Sequence, residues 1–288
     1  MEIGRLARAA GALAVALGTG LVPAAHAAEP LEYVALGDSA AAGPLIPPPA
    51  GHPLCLRSGT SYPQVAAELL GAELTDVTCS GAEIEDFSEP QYGLVRPQYE
   101  ALRPSTDLVT VTIGGNDVDL VQTAVGCLNL LPEPFGRSCA DELTEDGDVL
   151  ADRINALADE FDEVLAEISR RAPRAEIYVV GYATYIRDGG CYPHQPMWAR
   201  DATYIQASVD RLSAVLRERA VEHGAEFVDL APVSEGHDVC APIGERYIEG
   251  VLPTSLAAPL HPNDKGMTAF GHAVAEAIRS ASSNTAAD

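Results

Sequence analysis

Basic residues are scarce in this sequence, and their scarcity excludes several classes of partner. Lys and Arg together number 18 against 42 Asp and Glu, which gives the 288 residues a net charge of -24. Nucleic acids and anionic membranes bind proteins largely through Lys and Arg, so we expect neither as a partner. An apolar share of 47% with 21% charged residues is typical of an ordinary globular protein.

Motifs for a bound cofactor or metal are also missing from the sequence. It contains no phosphate-cradling motif, no nucleotide fingerprint and no zinc-ligand spacing. It also lacks the DxH pair that a dinuclear metallophosphatase would need, although GDS and GGND faintly resemble parts of such sites. We therefore expect no cofactor and no metal.

No apolar run reaches the roughly 20 residues that a membrane-spanning helix needs. The run nearest the N-terminus, residues 9–22, follows Arg5 and Arg8 and precedes the small residues Ala25 and Ala27. This arrangement is typical of a secretory signal rather than of a membrane anchor. We predict a signal peptide at residues 1–27, a single domain at residues 28–288, and a secreted, extracellular protein without stable membrane insertion.

Cysteines number six, and none belongs to a CxxC pair. An even number in an exported protein indicates disulfides rather than a metal site, although six cysteines allow 15 pairings. We predict sequential pairing: Cys55–Cys79, Cys127–Cys139 and Cys191–Cys240.

Short apolar runs of strand length alternate with helical patterns along the chain. The runs are residues 31–36, 72–77, 108–113, 177–180 and 225–230, and the clearest helical pattern is Ile154, Leu157, Phe161, Leu165 and Ile168. Helices are predicted to begin near residues 60, 148, 201 and 263 and to end near residues 70, 172, 223 and 280. The alternation predicts a three-layer α/β/α fold around a parallel sheet of about five strands.

Polar and glycine residues follow several of these strands. Ser39, Gly81 and Asn116 come after the first three strands, and His261 comes after the fifth. Loops at the carboxyl ends of parallel strands meet in one crevice, where such folds bind ligands. A serine hydroxyl needs an adjacent base to become nucleophilic, and a tetrahedral intermediate needs donors for its oxyanion. Ser39 and His261 could supply the nucleophile and its base. Amide groups of the loops that carry Ser39, Gly81 and Asn116 could supply the oxyanion donors.

These motifs together resemble the SGNH hydrolases, also called GDSL esterases and lipases. The matching segments are Gly37-Asp38-Ser39, Gly81 in CSGAEI, the block GGND at residues 114–117, and His261 in HPNDKG, in family order. The resemblance is closest to the secreted bacterial lipase and esterase branch with three disulfides.

The resemblance implies a flavodoxin-like sheet and assigns a role to each site residue. Ser39 would be the nucleophile, and His261 the general base and then acid. Ser39, Gly81 and Asn116 would be the oxyanion donors. The implied activity is hydrolysis of carboxylic esters through an acyl-enzyme on Ser39, with a small-molecule or lipid ester as substrate and a monomer as the working form.

One departure from the family pattern concerns the orientation of the histidine. The family often has Asp three residues before it, where this sequence has Ala258. Since something must still orient the imidazole, we predict that a main-chain carbonyl near Ala257 or Ala258, with Ala258 as the candidate, accepts the Nδ1 proton. We predict structural roles for Asp38 and Asp117, whose carboxylates would tie the Ser39 and Asn116 loops together.

Three other interpretations stay open at this stage. Each motif taken singly could be an ordinary turn or loop residue, and only their combination favours an active site. The chain could also be a catalytically silent binding module with the same fold. Finally, the apolar loops around the crevice could be an acyl groove or mere packing, so a carbohydrate acetylesterase is an alternative to a lipase or esterase.

Overall fold

A computed structural model of the chain describes Met1 and residues 30–285. Five parallel strands form one sheet in the order β2-β1-β3-β4-β5. The strands are β1 (Glu32–Gly37), β2 (Glu73–Asp76), β3 (Leu108–Thr112), β4 (Glu176–Val180) and β5 (Glu226–Val228). This order is that of flavodoxin-like folds, so the predicted α/β architecture is confirmed.

The central strand β3 is buried along its whole length, as its unbroken run of β-branched and apolar residues predicts. The hydroxyl groups of its two threonines have hydrogen-bond partners in the core. The Thr110 hydroxyl shares a hydrogen bond of 2.8 Å with Tyr33, and the Thr112 hydroxyl shares one of 2.8 Å with Tyr62. Each buried hydroxyl therefore has a partner, which removes most of the cost of burying it.

Helices cover both faces of the sheet. The described residues form α1 (Ser39–Ala42), α2 (Tyr62–Leu70), α3 (Leu120–Gly126), α4 (Cys139–Leu143), α5 (Val149–Arg171), α6 (Ala199–Glu222), α7 (Ala231–Ser234) and α8 (Asp264–Thr285). Short 3₁₀ turns occupy Pro53–Cys55, Ile84–Phe87 and Gln98–Ala101. Helix α2 packs against α8, while α5 packs against α6, which makes the two outer layers.

The predicted long helix illustrates how local signals set its limits. Asp148 caps α5 by accepting the Ala151 N–H at 3.0 Å, and the helix ends at Arg171, ahead of Pro173. The five apolar residues of its predicted stripe are all buried: Ile154, Leu157, Phe161, Leu165 and Ile168. Helix α6 begins at Ala199, slightly before the predicted start.

Three disulfides hold the long loops. The structure pairs Cys55 with Cys79, Cys127 with Cys139 and Cys191 with Cys240, which is the sequential pattern. The first joins the loop after α1 to the chain after β2, and so fastens two segments at the carboxyl edge of the sheet. Cross-links of this kind stabilise a fold mainly by restricting its unfolded chain.

The predicted signal peptide lies outside the described residues, apart from Met1. Over the part of the chain that is described, helices of the length and apolarity needed to cross a bilayer do not occur.

Gly37 ends β1 at a point where the backbone of β3 comes very close. Its φ is +146°, and an added Cβ would lie 2.4 Å from the main-chain oxygen of Thr112. The buried Gln98 side chain also holds this residue, accepting its N–H at 2.7 Å and donating to its carbonyl at 3.0 Å. The chain therefore leaves the strand in a conformation that only glycine allows.

We expect Gly37→Ala to lower the free energy of unfolding by roughly 3 kcal/mol, because backbone strain and a clash with a fixed carbonyl add together. Gly147→Ala is the matched control: its φ is +131°, but an added Cβ would meet no atom within 4 Å. That variant should lose only the strain, about 1 to 2 kcal/mol. Urea unfolding with intact disulfides measures both, and equal losses would contradict the steric explanation.

Candidate active site

Ser39 and His261 meet at the carboxyl edge of the sheet. The Ser39 Oγ lies 2.7 Å from the His261 Nε2, although 222 positions separate the two residues in the chain. Ser39 is the first residue of the short helix α1, directly after β1, and its side chain is largely buried. The contact is within the hydrogen-bonding range that a general base needs to take a hydroxyl proton.

Asp38 shapes the turn that presents the serine. Its Oδ1 accepts the Ala40 N–H at 2.7 Å, and its Oδ2 accepts the Tyr182 hydroxyl at 2.5 Å. Burial raises the pKa of the Asp38 carboxyl to about 7, against the opposing effect of the hydrogen bonds from Tyr182 and Ala40. Asp38 therefore acts through the turn and its partners and does not contact the His261 ring.

Tyr182 joins the first and third strand ends, and sequence reasoning missed it. Its hydroxyl donates to Asp38 and accepts the Gly115 N–H at 2.8 Å, so the serine loop and the GGND loop share one phenol oxygen. Asp117 makes a separate tie, because its Oδ1 accepts the Ile84 N–H at 2.8 Å. The position of Tyr182 in the sequence could have indicated this role, since it follows β4 at the same edge of the sheet.

The His261 ring is oriented by the main chain. Its Nδ1 lies 2.7 Å from the carbonyl oxygen of Pro259. The acceptor is thus one residue later than Ala258, whose predicted role was wrong. Leu260 takes a left-handed φ of +58°, which turns the preceding carbonyl back toward the ring. Asp264 is not hydrogen-bonded to the ring, whose two nitrogens contact the Pro259 carbonyl and the Ser39 hydroxyl. Its Oδ1 accepts the Thr60 hydroxyl at 2.9 Å.

The protonation state of the imidazole follows from these surroundings. Burial lowers the pKa of His261 below its usual value, while the hydrogen bond with the Pro259 carbonyl opposes that shift in part. The ring is therefore neutral at neutral pH. With the Nδ1 proton held by a carbonyl, the lone pair of Nε2 faces the serine hydroxyl.

The three predicted oxyanion donors lie on neighbouring loops. Asn116 lines the same pocket as Ser39 and His261, and its Nδ2 donates to the Ala82 carbonyl at 2.8 Å. Gly81 lies on that same stretch after β2, outside the pocket-lining residues. Within residues 30–285, the N–H groups of Ser39 and Gly81 donate to no protein acceptor. All three residues thus have an N–H group available to a developing negative charge.

Both the backbone conformation at Gly81 and the nearby Tyr92 side chain favour glycine at this position. Its φ is +77°, and an added Cβ would lie 2.6 Å from the Tyr92 hydroxyl. That hydroxyl donates to the Ser80 carbonyl at 2.9 Å. The tyrosine therefore fastens the peptide next to Gly81 and occupies the space that a side chain would take.

An apolar pocket opens beside Ser39 and His261. The free space along it, counted together with adjoining open solvent, is about 790 Å³, and it extends between α3 and α6. The apolar wall is formed mainly by Leu120, Ala124, Leu128, Met197, Ile205 and Val209. Val251 and Leu260, from the loop that carries the histidine, complete the wall on the other side.

Side chains that could bind a metal ion together do not occur in the part of the chain that the structure describes. No three His, Cys, Asp or Glu side chains there are grouped so that they could hold an ion. All six cysteines are joined in disulfides.

Comparison with known proteins agrees with this geometry. Lipase 2 of Streptomyces coelicolor is 40% identical over 270 residues, which cover 90% of each chain. Among solved structures, an extracellular lipase from Streptomyces rimosus has a TM-score of 0.70 at 29% identity, covering 85% of this chain and 97% of that one. Phospholipase A1 from Streptomyces albidoflavus has a TM-score of 0.66 at 26% identity, covering 85% and 98%.

The family comparison covers most of the described chain. The sequence model of the GDSL-like lipase/acylhydrolase family matches residues 35–269, which include Ser39, Gly81, Asn116 and His261. The resemblance inferred from the motifs is confirmed, and the chain belongs to the GDSL-like lipase/acylhydrolase family.

Proposed function

We propose that this enzyme hydrolyses lipid-like carboxylic esters through a covalent acyl intermediate on Ser39, with His261 as its base. The single observation that carries the proposal is the 2.7 Å contact between the Ser39 Oγ and the His261 Nε2, two residues that line an apolar pocket. The broader prediction of a carboxylic ester hydrolase is confirmed by family membership and by relatives that are named lipases and an esterase.

The proposed reaction has two halves. In the first, the Ser39 Oγ attacks the ester carbonyl carbon while the His261 Nε2 takes the hydroxyl proton. The oxyanion receives hydrogen bonds from the N–H groups of Ser39 and Gly81 and from the Asn116 side chain. The tetrahedral intermediate collapses as His261 returns the proton to the leaving alcohol. In the second half, His261 takes a proton from water as the water oxygen attacks the acyl carbon. The bond to the Ser39 Oγ then breaks, His261 returns the proton to that oxygen, and the acid is released.

The pocket supports an acyl chain as the group on the carbonyl side. Apolar side chains make up most of its lining, and Ser39, Asn116 and His261 contribute polar groups to it. Such a distribution favours an extended hydrocarbon with one reactive polar end. It offers few groups for the many hydroxyls of a sugar, which is why we prefer a lipid ester to an acetylated carbohydrate.

Two uncharged segments support the same substrate class, and one of them contributes Val251 and Leu260 to the pocket lining. Residues 44–56 and 250–260 contain no Asp, Glu, Lys or Arg, in a chain with a net charge of -24. The two loops touch, since the Ala258 N–H donates to the Pro44 carbonyl at 3.0 Å. Leu45, Leu252 and Leu256 on them are 55%, 82% and 72% exposed. An uncharged apolar rim can approach an uncharged lipid surface at little desolvation cost.

Export is part of the proposal. Three disulfides are typical of proteins that fold in an oxidising compartment, and the predicted signal at residues 1–27 would direct the chain there. The S. rimosus relative is described as extracellular. A monomer remains our expectation for the working form.

Removing the nucleophile is the first test of this mechanism. We expect Ser39→Ala to lower kcat on p-nitrophenyl butyrate by at least about 10⁴-fold, because no other oxygen can form the acyl-enzyme. Ser105→Ala is the control, since Ser105 lies at the opposite edge of the sheet and bonds to Glu32. An inactive wild type, or activity that survives in Ser39→Ala, would support a silent binding module or another mechanism.

The acidic limb of the pH profile is a second test. Because burial lowers the pKa of His261, the base should stay neutral below its usual pKa of about 6.5. Activity should therefore be retained as the pH falls through about 6.5 and be lost at a lower pH, where the imidazole becomes protonated. The measurement is kcat/KM against pH with a short soluble ester. A midpoint above the usual value would contradict the assigned surroundings of the ring.

The acyl pocket can be tested on α3, where two neighbouring residues face opposite ways. Ala124 lines the pocket, whereas Val125 is 52% exposed. We expect Ala124→Leu to lower kcat/KM about 10-fold or more for long-chain p-nitrophenyl esters and to spare the acetate, because it shortens the apolar space. Val125→Leu is the control. A parallel loss on all chain lengths would contradict an acyl role for this pocket.

A further inference from the structure

The loop that carries His261 begins and ends in a short pair of antiparallel segments. The Glu249 N–H donates to the His261 carbonyl at 2.9 Å, and Ile248 forms a bridge with Pro262. The Asn263 N–H donates to the Tyr247 carbonyl at 2.8 Å. Residues 251–259 therefore form a closed loop whose two ends are fastened directly beside the catalytic imidazole.

The Glu249 side chain occupies the inside of this loop and is only 1% exposed. Its Oε2 accepts the N–H of Thr254 at 2.6 Å and the hydroxyl of Thr254 at 3.0 Å. Its Oε1 accepts the Ser255 hydroxyl and the Asn263 Nδ2, each at 2.8 Å. Both carboxylate oxygens are thus filled by donors from the loop and from the residue that precedes α8.

The ionised form of this carboxylate is the one that fits. Burial raises the pKa of Glu249, but hydrogen bonds from Thr254, Asn263 and Ser255 outweigh burial and hold the pKa below the usual value. All four groups that contact the carboxylate donate hydrogen bonds to it. An amide in its place has an NH₂ group that cannot accept a hydrogen bond, so at least one of these donors would lose its acceptor. Replacing the carboxylate by an amide therefore disturbs the loop while keeping its size.

Orientation by a main-chain carbonyl makes the loop part of the catalytic geometry. The Pro259 oxygen that holds Nδ1 belongs to the closed loop, and position 258 is an alanine, so no carboxylate follows the ring if the loop moves. The external contacts of the loop are limited. They include the Val251 N–H to the Gln195 Oε1 at 3.1 Å and the Ala258 N–H to the Pro44 carbonyl at 3.0 Å.

We propose that Glu249 is a positioning residue, whose carboxylate holds the 251–259 loop so that the Pro259 carbonyl keeps the His261 ring aimed at Ser39. The inference rests on the proposed function, because it assigns His261 as the base. Glu249 itself touches neither the ring nor the pocket. It acts through the loop, in place of the acidic side chain that usually contacts such a histidine directly.

The test is Glu249→Gln, compared with Asp107→Asn as a matched control. Asp107 is also a structural carboxylate, accepting the Glu32 N–H at 3.0 Å and pairing with Arg174 at 2.6 Å, but it lies at the amino edge of the sheet. With p-nitrophenyl acetate, we expect Glu249→Gln to lower kcat about 10²-fold at nearly unchanged KM, because the base is misaligned. Glu249→Asp, which keeps the charge, should recover part of the loss. Asp107→Asn should keep kcat.

A second measurement does not depend on turnover. In ¹⁵N-labelled protein, the Nδ1 proton of His261 should give a downfield resonance, assigned by its loss in His261→Asn. This resonance should weaken or exchange rapidly in Glu249→Gln and persist in Asp107→Asn. The His237 Nδ1 lies 2.6 Å from the Glu245 carbonyl and provides an internal reference. The resonance can also be measured in a variant that is folded but turns over too slowly to assay.

Three outcomes would overturn the proposal: an unchanged resonance, a kcat no lower than that of Asp107→Asn, or a rise in KM alone. The last would mean that the loop serves only as pocket wall. Failure of the proposed function is distinguishable, because the wild type itself would then show no hydrolysis that Ser39→Ala removes. The resonance would still report whether Glu249 orders the loop.

Discussion

The hydrogen bond between the His261 ring and a main-chain carbonyl sets a condition that the surrounding structure must meet. A carboxylate on a side chain can follow a moving imidazole by changing its rotamer, whereas a carbonyl moves only with its own peptide. Pro259 restricts that peptide through its ring, and Leu260 holds a φ of +58°. In the proposed mechanism, loop conformation replaces the third side chain of a triad. The buried Glu249 carboxylate accepts hydrogen bonds from Thr254 and Ser255 within that loop.

The other half of the site depends on a second buried carboxylate. Asp38 and Gly115 follow adjacent strands of the sheet and are joined through the Tyr182 hydroxyl, which donates to one and accepts from the other. The pKa of Asp38 is raised to about 7 by burial even with these bonds, so its desolvation is only partly offset. A group this costly to bury is retained because it fixes the serine turn relative to the neighbouring loop.

Features of the structure that depend on local sequence could be predicted, whereas those that depend on the path of an irregular loop could not. Hydrophobic periodicity is local, so the five strands and the long helices could be located before the structure. The meeting of Ser39 with His261 could also be predicted, because parallel strands deliver their carboxyl-end loops to one edge. A main-chain acceptor for the His261 ring could be predicted from the alanine at position 258, but its exact residue, Pro259, and the role of Glu249 could not. Their roles depend on the path of an irregular loop, and no spacing or propensity in the sequence specifies that path.

The proposed action on lipid-like esters makes two conflicting demands on the distribution of charge over the protein surface. A net charge of -24 keeps such a chain dispersed in water by mutual repulsion. The same charge at the pocket mouth would have to lose its hydration whenever an apolar substrate approached. Residues 44–56 and 250–260 carry none of it, and the carboxylate nearest the second segment, Glu249, is buried and fully bonded. In the proposed mechanism, the acid that organises the histidine loop is therefore hidden from the surface that a lipid-like substrate would approach.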